Sequence, residues 1–107
     1  MHIIVKNKDT LLYDEFKFKC SVGKKGITSK KIEGDKKTPK GIYALGPLYF
    51  RKDRLSEPLT KLKKIQIKKS LGWCDDINSK FYNKPIKTNK KTRHEKLFRK
   101  NNNYDLL

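Results

Sequence analysis

Arginine is the scarce cation of this chain. Only Arg51, Arg54, Arg93 and Arg99 stand among 28 basic residues, which face 11 acidic ones for a formal charge of +17 over 107 residues. Arginine is the side chain best shaped for bidentate phosphate and guanine contacts. Lysine in excess, accompanied by an excess of asparagine, fits AT-rich coding better than a dedicated nucleic-acid reader, so specific nucleic-acid binding is not expected. Charge of this kind bears on adsorption and solubility, not on fold. Cysteine is equally sparse. Cys20 and Cys74 stand far apart with no CxxC spacing and no His pair beside them, which excludes a zinc finger and a dense disulfide framework. There are two histidines, His2 and His94, which leaves little material for a nucleophile and base. No apolar run approaches the ~20 residues of a membrane span, and no export signal is visible, because Met1 to Lys6 is too short for the apolar region of one. P-loop and GxGxxG spacings are missing as well, so no nucleotide cofactor or metal is expected.

What is present is enough for a small core. Hydrophobic residues form 35% of the sequence and charged ones 36%, and the length has room for one domain at most. The apolar residues cluster at 3–5, 11–18, 42–50, 62–67 and 104–107, which argues against full disorder. His2 to Lys6 and Thr10 to Tyr13, separated by the polar turn Asn7-Lys8-Asp9, predict an opening β-hairpin. Phe16, Phe18 and Cys20 alternate with Lys17 and Lys19, the period of a strand with one face buried. Residues 23–41 carry four of the six glycines and read as an ordered loop or a flap. Gly41 to Gly46 predicts a further strand that continues at Leu48-Tyr49-Phe50 beyond Gly46-Pro47, and Leu62, Ile65 and Ile67 predict another. Thr92 and Glu95 fit a capping box, which predicts a short helix near residues 92–100. Tyr104 to Leu107 looks like the beginning of a strand. The fold class expected is mainly β.

Isolated chemical features are weak. His94 is a candidate base, but in a first helical turn an exposed imidazole is the commoner outcome. Asp75-Asp76 is a candidate cation site, although adjacent carboxylates in a turn more often act as capping groups.

One stretch says more. Cys20-Ser21-Val22-Gly23, followed by the spacing Gly34-x-x-x-Thr38-Pro39-x-Gly41-x-Tyr43, resembles the signature of L,D-transpeptidase catalytic domains. Gly72-Trp73-Cys74-Asp75-Asp76, Tyr82-Asn83-Lys84-Pro85, His94 to Arg99, and Tyr104-Asp105 are similar to successive landmarks of one branch of that family, in the same order, across about residues 15–107. The resemblance implies an incomplete β-sandwich-like fold and a single catalytic domain spanning 1–107 that stops before the catalytic segment. It also implies an enzyme in which a cysteine thiolate takes an acyl group from a peptidoglycan stem peptide and passes it to an acceptor amine, in the periplasm or cell envelope, as a monomer when complete.

The family's later His and its Ser/Thr-x-Gly-Cys-type segment do not occur in this sequence, so no catalytic residue is assigned and the chain alone is expected to be inactive. Neither Cys20 nor Cys74 has the family's context for a nucleophile. Lys36, Lys37, Trp73 and Asp75 are the substrate-binding candidates, the two lysines because segment 23–41 is turn-rich and basic enough to flank a groove for acidic stem peptides, Trp73 and Asp75 because they belong to the Gly72 to Asp76 landmark. Two other readings stay open: a small basic protein that binds RNA or another polyanion, supported by the charge and the interleaved aromatics, and a non-catalytic relative that binds peptidoglycan.

Overall fold

A computed structural model describes residues 2–107, and its secondary structure is entirely β among those residues. The chain divides into two compact units, residues 1–44 and 45–107.

The first unit opens with an antiparallel meander of β1 (Ile3–Lys6), β2 (Thr10–Tyr13) and β3 (Phe16–Lys19). Its two turns need left-handed backbone, and the sequence supplies Asn7 (φ 63°) and Asp14 (φ 53°), residue types that tolerate that region. The expected hairpin and the third strand are both present. The alternation in β3, however, does not sink Phe16 and Phe18 into a core, since both stay about half exposed. Beyond Cys20 the chain makes β4 (Ile27–Thr28) and β5 (Thr38–Pro39), a short parallel pair. Pro39 has no N–H to give, which is tolerable in a two-stranded ladder where it sits on an edge.

The second unit contains the core. Here β6 (Leu48–Phe50) pairs in parallel with β7 (Lys64–Gln66), joined by the crossover that parallel strands require. On its other side β6 takes up the last residues: Tyr49 and Leu107 exchange backbone hydrogen bonds of 2.8 and 2.9 Å, and Phe50 bridges Leu106 in antiparallel sense. A separate antiparallel sheet has β8 (Leu71–Cys74) at its centre, flanked by β9 (Pro85–Lys87) and β10 (His94–Lys96). Tyr49, Ile67 and Leu97 are buried together, with Ile65, Leu71, Trp73, Phe98 and Tyr104 packed around them. Residues from both sheets thus share one cluster, and that burial is the main force holding this unit.

Two expectations are corrected. Residues 94–96 form a strand where a short helix was expected over 92–100. The capping geometry is not made: the Thr92 carbonyl takes a hydrogen bond from His94, and the Glu95 carboxylate turns to Arg99 and Tyr104. Pairing His94, Glu95 and Lys96 with Cys74, Trp73 and Gly72 satisfies the backbone across the sheet instead, and tertiary pairing of that kind overrides a weak local preference. Residues 41–47 are likewise not a strand. They have no neighbour to pair with, and the Ile42 side chain is fully exposed.

Ile67 is 1% exposed at the centre of the cluster. Ile67→Ala is expected to cost roughly 2–5 kcal/mol of stability, whereas Ile42→Ala should stay within about 0.5 kcal/mol of the parent. Urea unfolding of the two variants side by side measures the contrast.

Candidate functional site

The resemblance singles out residues in each unit, and each set builds a local structure of its own. In the first unit the segment Cys20 to Gly23 and the loop 34–39 interlock. The Gly23 N–H donates to Thr38 Oγ1 at 2.7 Å. A Cβ on Gly23 would lie 2.5 Å from the Lys36 carbonyl oxygen and 2.7 Å from Lys37 backbone atoms. The two segments approach so closely that only glycine fits, which ties two of the sequence landmarks together through backbone.

One carboxylate organises that loop. Asp35 accepts hydrogen bonds from the Ile32 N–H (3.0 Å), the Lys37 N–H (2.9 Å) and the Lys31 ammonium. Lys31 also donates to the Lys37 carbonyl at 2.8 Å. The charge-assisted bond from Lys31, followed by that of the Ile32 amide, holds the Asp35 carboxyl at a pKa of about 2. The role of Asp35 was not foreseen from sequence, although an Asp between Gly and Lys in a turn-rich stretch is the signal that marks it.

Lys36 and Lys37, two of the substrate-binding candidates, flank this anchor. Lys36 adopts left-handed backbone (φ 59°) and its carbonyl accepts from the Lys25 N–H at 2.9 Å. Both side chains are exposed, and neither ammonium has a carboxylate partner among the described residues. An open depression of about 490 Å³ is lined by Lys8, Lys24, Lys25 and the segment Cys20 to Gly23. It is polar, basic and shallow, which suits loose capture of an anion better than chemistry.

In the second unit Trp73 and Asp75 have structural partners. The Trp73 indole N–H donates to Asn83 Oδ1 at 3.0 Å, and its ring meets Tyr49 edge-on at 5.9 Å. Asn83 reaches that position through left-handed backbone (φ 56°). Asp75 is exposed and pairs with Arg93, which also donates to the Asp75 carbonyl. Asp76 caps a turn by accepting from the Asn78 N–H at 3.0 Å. No group of three or more metal-ligating side chains occurs among the described residues.

His94 lies on β10, half-buried, with its ring laid across Gly72. A Cβ there would be 2.8 Å from His94 Cδ2. His94 Nδ1 is 2.7 Å from the Thr92 carbonyl oxygen. A carbonyl can only accept, so Nδ1 carries a proton and donates it to that bond. Cys74 stands opposite His94 in the register and is fully buried, and no hydrogen bond joins the two. The arrangement fixes an imidazole without giving it a nucleophile to activate.

All four arginines are engaged within this unit. Arg51, 3% exposed, grips Asp53 with two bonds of 2.7 Å, donates to the Arg99 carbonyl at 2.8 Å and lies 3.6 Å above the Phe98 ring. Arg54 gathers the Asn101 and Lys100 carbonyls and the Asp105 carboxylate. Arg99 pairs with Glu95, which also accepts from the Tyr104 hydroxyl at 2.6 Å. That hydrogen bond raises the Tyr104 pKa above the ordinary phenol range. The charge left over for a partner is therefore lysine.

No known family model matches the chain, and neither a curated protein nor a solved structure matches it.

Two measurements test this loop. Because the Asp35 pKa is depressed, its contribution to folding is present above the ordinary carboxyl pKa near 3.8 and is lost as pH falls through about 2. NMR titration should show the Ile32 and Lys37 amide signals shifting with a midpoint near 2, and Asp35→Asn should abolish that transition. Gly23→Ala forces a methyl into backbone and should destabilise the first unit by about 1–3 kcal/mol. Faster amide exchange at Thr38 and Lys40 would report it.

Proposed function

We propose that this chain is the fold-bearing part of an L,D-transpeptidase catalytic domain, a cell-wall acyl transferase whose nucleophilic Cys and partner His are encoded beyond Leu107. The observation that carries the reading is mutual use of the landmark residues. Gly23 packs on the backbone of 36–37 and hydrogen-bonds Thr38, Trp73 hydrogen-bonds Asn83, His94 lies on Gly72, and Glu95 accepts from Tyr104. Residues that carry a family signature are expected to depend on one another in this way when the signature is a folding requirement.

In this reading the reaction forms a thioester between a cysteine sulfur and a stem-peptide carbonyl, with loss of the terminal residue, and an acceptor amine then displaces the sulfur. Neither step can run on the residues present. Cys74 is buried, Cys20 has no base hydrogen-bonded to it, and His94 lacks a nucleophile. A reactive thiol needs a partner that depresses its pKa. The part of this chain would be to capture and orient: Lys36 and Lys37 offer unpaired ammonium groups to the carboxylates of an acidic stem peptide, and Trp73 with Asp75 belongs to the landmark that shapes the second unit. The lysine excess gives the same polarity to capture at long range. A cell-envelope location goes with this proposal.

Intact-mass spectrometry after incubation with a disaccharide-tetrapeptide tests it. The 107-residue chain should show no acyl adduct, while the product of the same reading frame extended past codon 107 should gain the mass of the acyl donor less its leaving residue. A stop codon directly after Leu107, or an adduct on Cys20 of the short chain, would overturn the proposal.

A further inference from the structure

The meander of the first unit has two chemically different faces. In its register Ile3 opposes Tyr13, which opposes Phe16, and Val5 opposes Leu11, which opposes Phe18. Opposed residues project from the same side of a sheet and alternate residues share it. These six side chains therefore form one face without a single charge. The reverse face carries Lys6, Lys17 and Lys19 alongside Ile4, Thr10 and Leu12.

The apolar face is open. Phe16 and Phe18 are 55% and 51% exposed, Ile3 and Val5 nearly as much, and the two phenyl rings stack with centroids 6.3 Å apart. A contiguous apolar patch of this kind marks an interaction surface.

Charge decides what covers it. Residues 1–44 hold eleven lysines against five acidic residues, a net +6. A second copy would bring the same excess and repel. An anionic surface is attracted by it. A sheet face with its side chains is on the order of 5 Å deep, half the ~10 Å spacing of packed sheets. Crossing both faces puts the lysines of the reverse side about 10 Å away, roughly one screening length from a charged leaflet at physiological salt, where the attraction is weakened but not lost. Tyrosine settles at a membrane–water interface, and phenylalanine is among the apolar residues that peripheral segments bury at the headgroup–acyl boundary.

We propose that the apolar face of β1–β2–β3 docks on the surface of an anionic phospholipid bilayer, with Phe16 and Phe18 entering the interface and Lys6, Lys17 and Lys19 held above it. This binding is peripheral and does not rest on the transferase reading.

Vesicle co-sedimentation of the whole 107-residue chain tests the proposal, comparing phosphatidylcholine vesicles with vesicles that also contain phosphatidylglycerol. A lysine at such a surface adds on the order of five-fold in partitioning and less at one screening length above it, so the anionic vesicles should bind several-fold more strongly. Phe16→Ser with Phe18→Ser should lose most of that binding with lysines intact, and Lys17→Glu with Lys19→Glu should lose it with the phenyl rings intact. Phe16→Trp, read as the difference from the parent with its native Trp73, should shift its fluorescence to the blue and be quenched by brominated acyl chains. Undiminished binding by the double serine variant would mean lysine adsorption alone and overturn the proposal. So would an unquenched Phe16→Trp, or a chain that sediments as a dimer and ignores vesicles. Should the serine variant fail to fold, the quenching experiment decides by itself.

Discussion

Scarce carboxylates hold this protein's irregular regions in place. Most of the chain lies outside strands, so backbone ladders alone cannot fix it. Each anchored stretch is instead gathered around an acidic group: residues 31–37 around Asp35, and 99–105 around Asp53, Glu95 and Asp105 through Arg51, Arg99 and Arg54. With 28 cations to 11 anions, all four arginines take pairs that also bind backbone carbonyls, and Lys31 does the same between Asp35 and the Lys37 carbonyl. The planar fork of arginine holds its donors in a fixed plane, which allows the bidentate grip of Arg51 on Asp53, whereas Lys31 makes its two bonds from a single ammonium.

The β character was readable because it rests on local signals. The period-2 run at Phe16 and Phe18 and the Asn7 turn both declare themselves within a few residues. The strand at 94–96 did not, because its cause is β8, some twenty residues earlier in the chain, and Thr92 with Glu95 satisfies a helix-start pattern that nothing local contradicts. The same holds for the candidate site. Lys36 and Lys37 were visible as lysines in a glycine-rich loop, but the Asp35 anchor that shapes the loop depends on Ile32 and Lys31 being brought back to it. Trp73 was visible as a landmark, whereas its engagement with Asn83 and Tyr49 depends on the sheet.

Two chemistries are left at the surface. Arginines and most carboxylates of the second unit are turned to internal work, and lysine supplies the outward charge. Of the large apolar side chains left exposed, Ile3, Val5, Phe16 and Phe18 gather on one face of the first unit's meander, and the others are scattered along both units. A partner therefore meets a diffuse positive field at long range and an uncharged patch at contact.

The pairing of Tyr49 with Leu107 joins the two ends of the second unit. During synthesis β6 emerges early but cannot acquire its outer neighbour until residues 106 and 107 have left the ribosome. The meander of residues 3–19, whose partners are adjacent in sequence, can close long before that. Translation thus imposes an order on assembly in which the first unit matures while β6 still shows an open edge, and that waiting edge is where a nascent chain of this sequence is most exposed to mispairing.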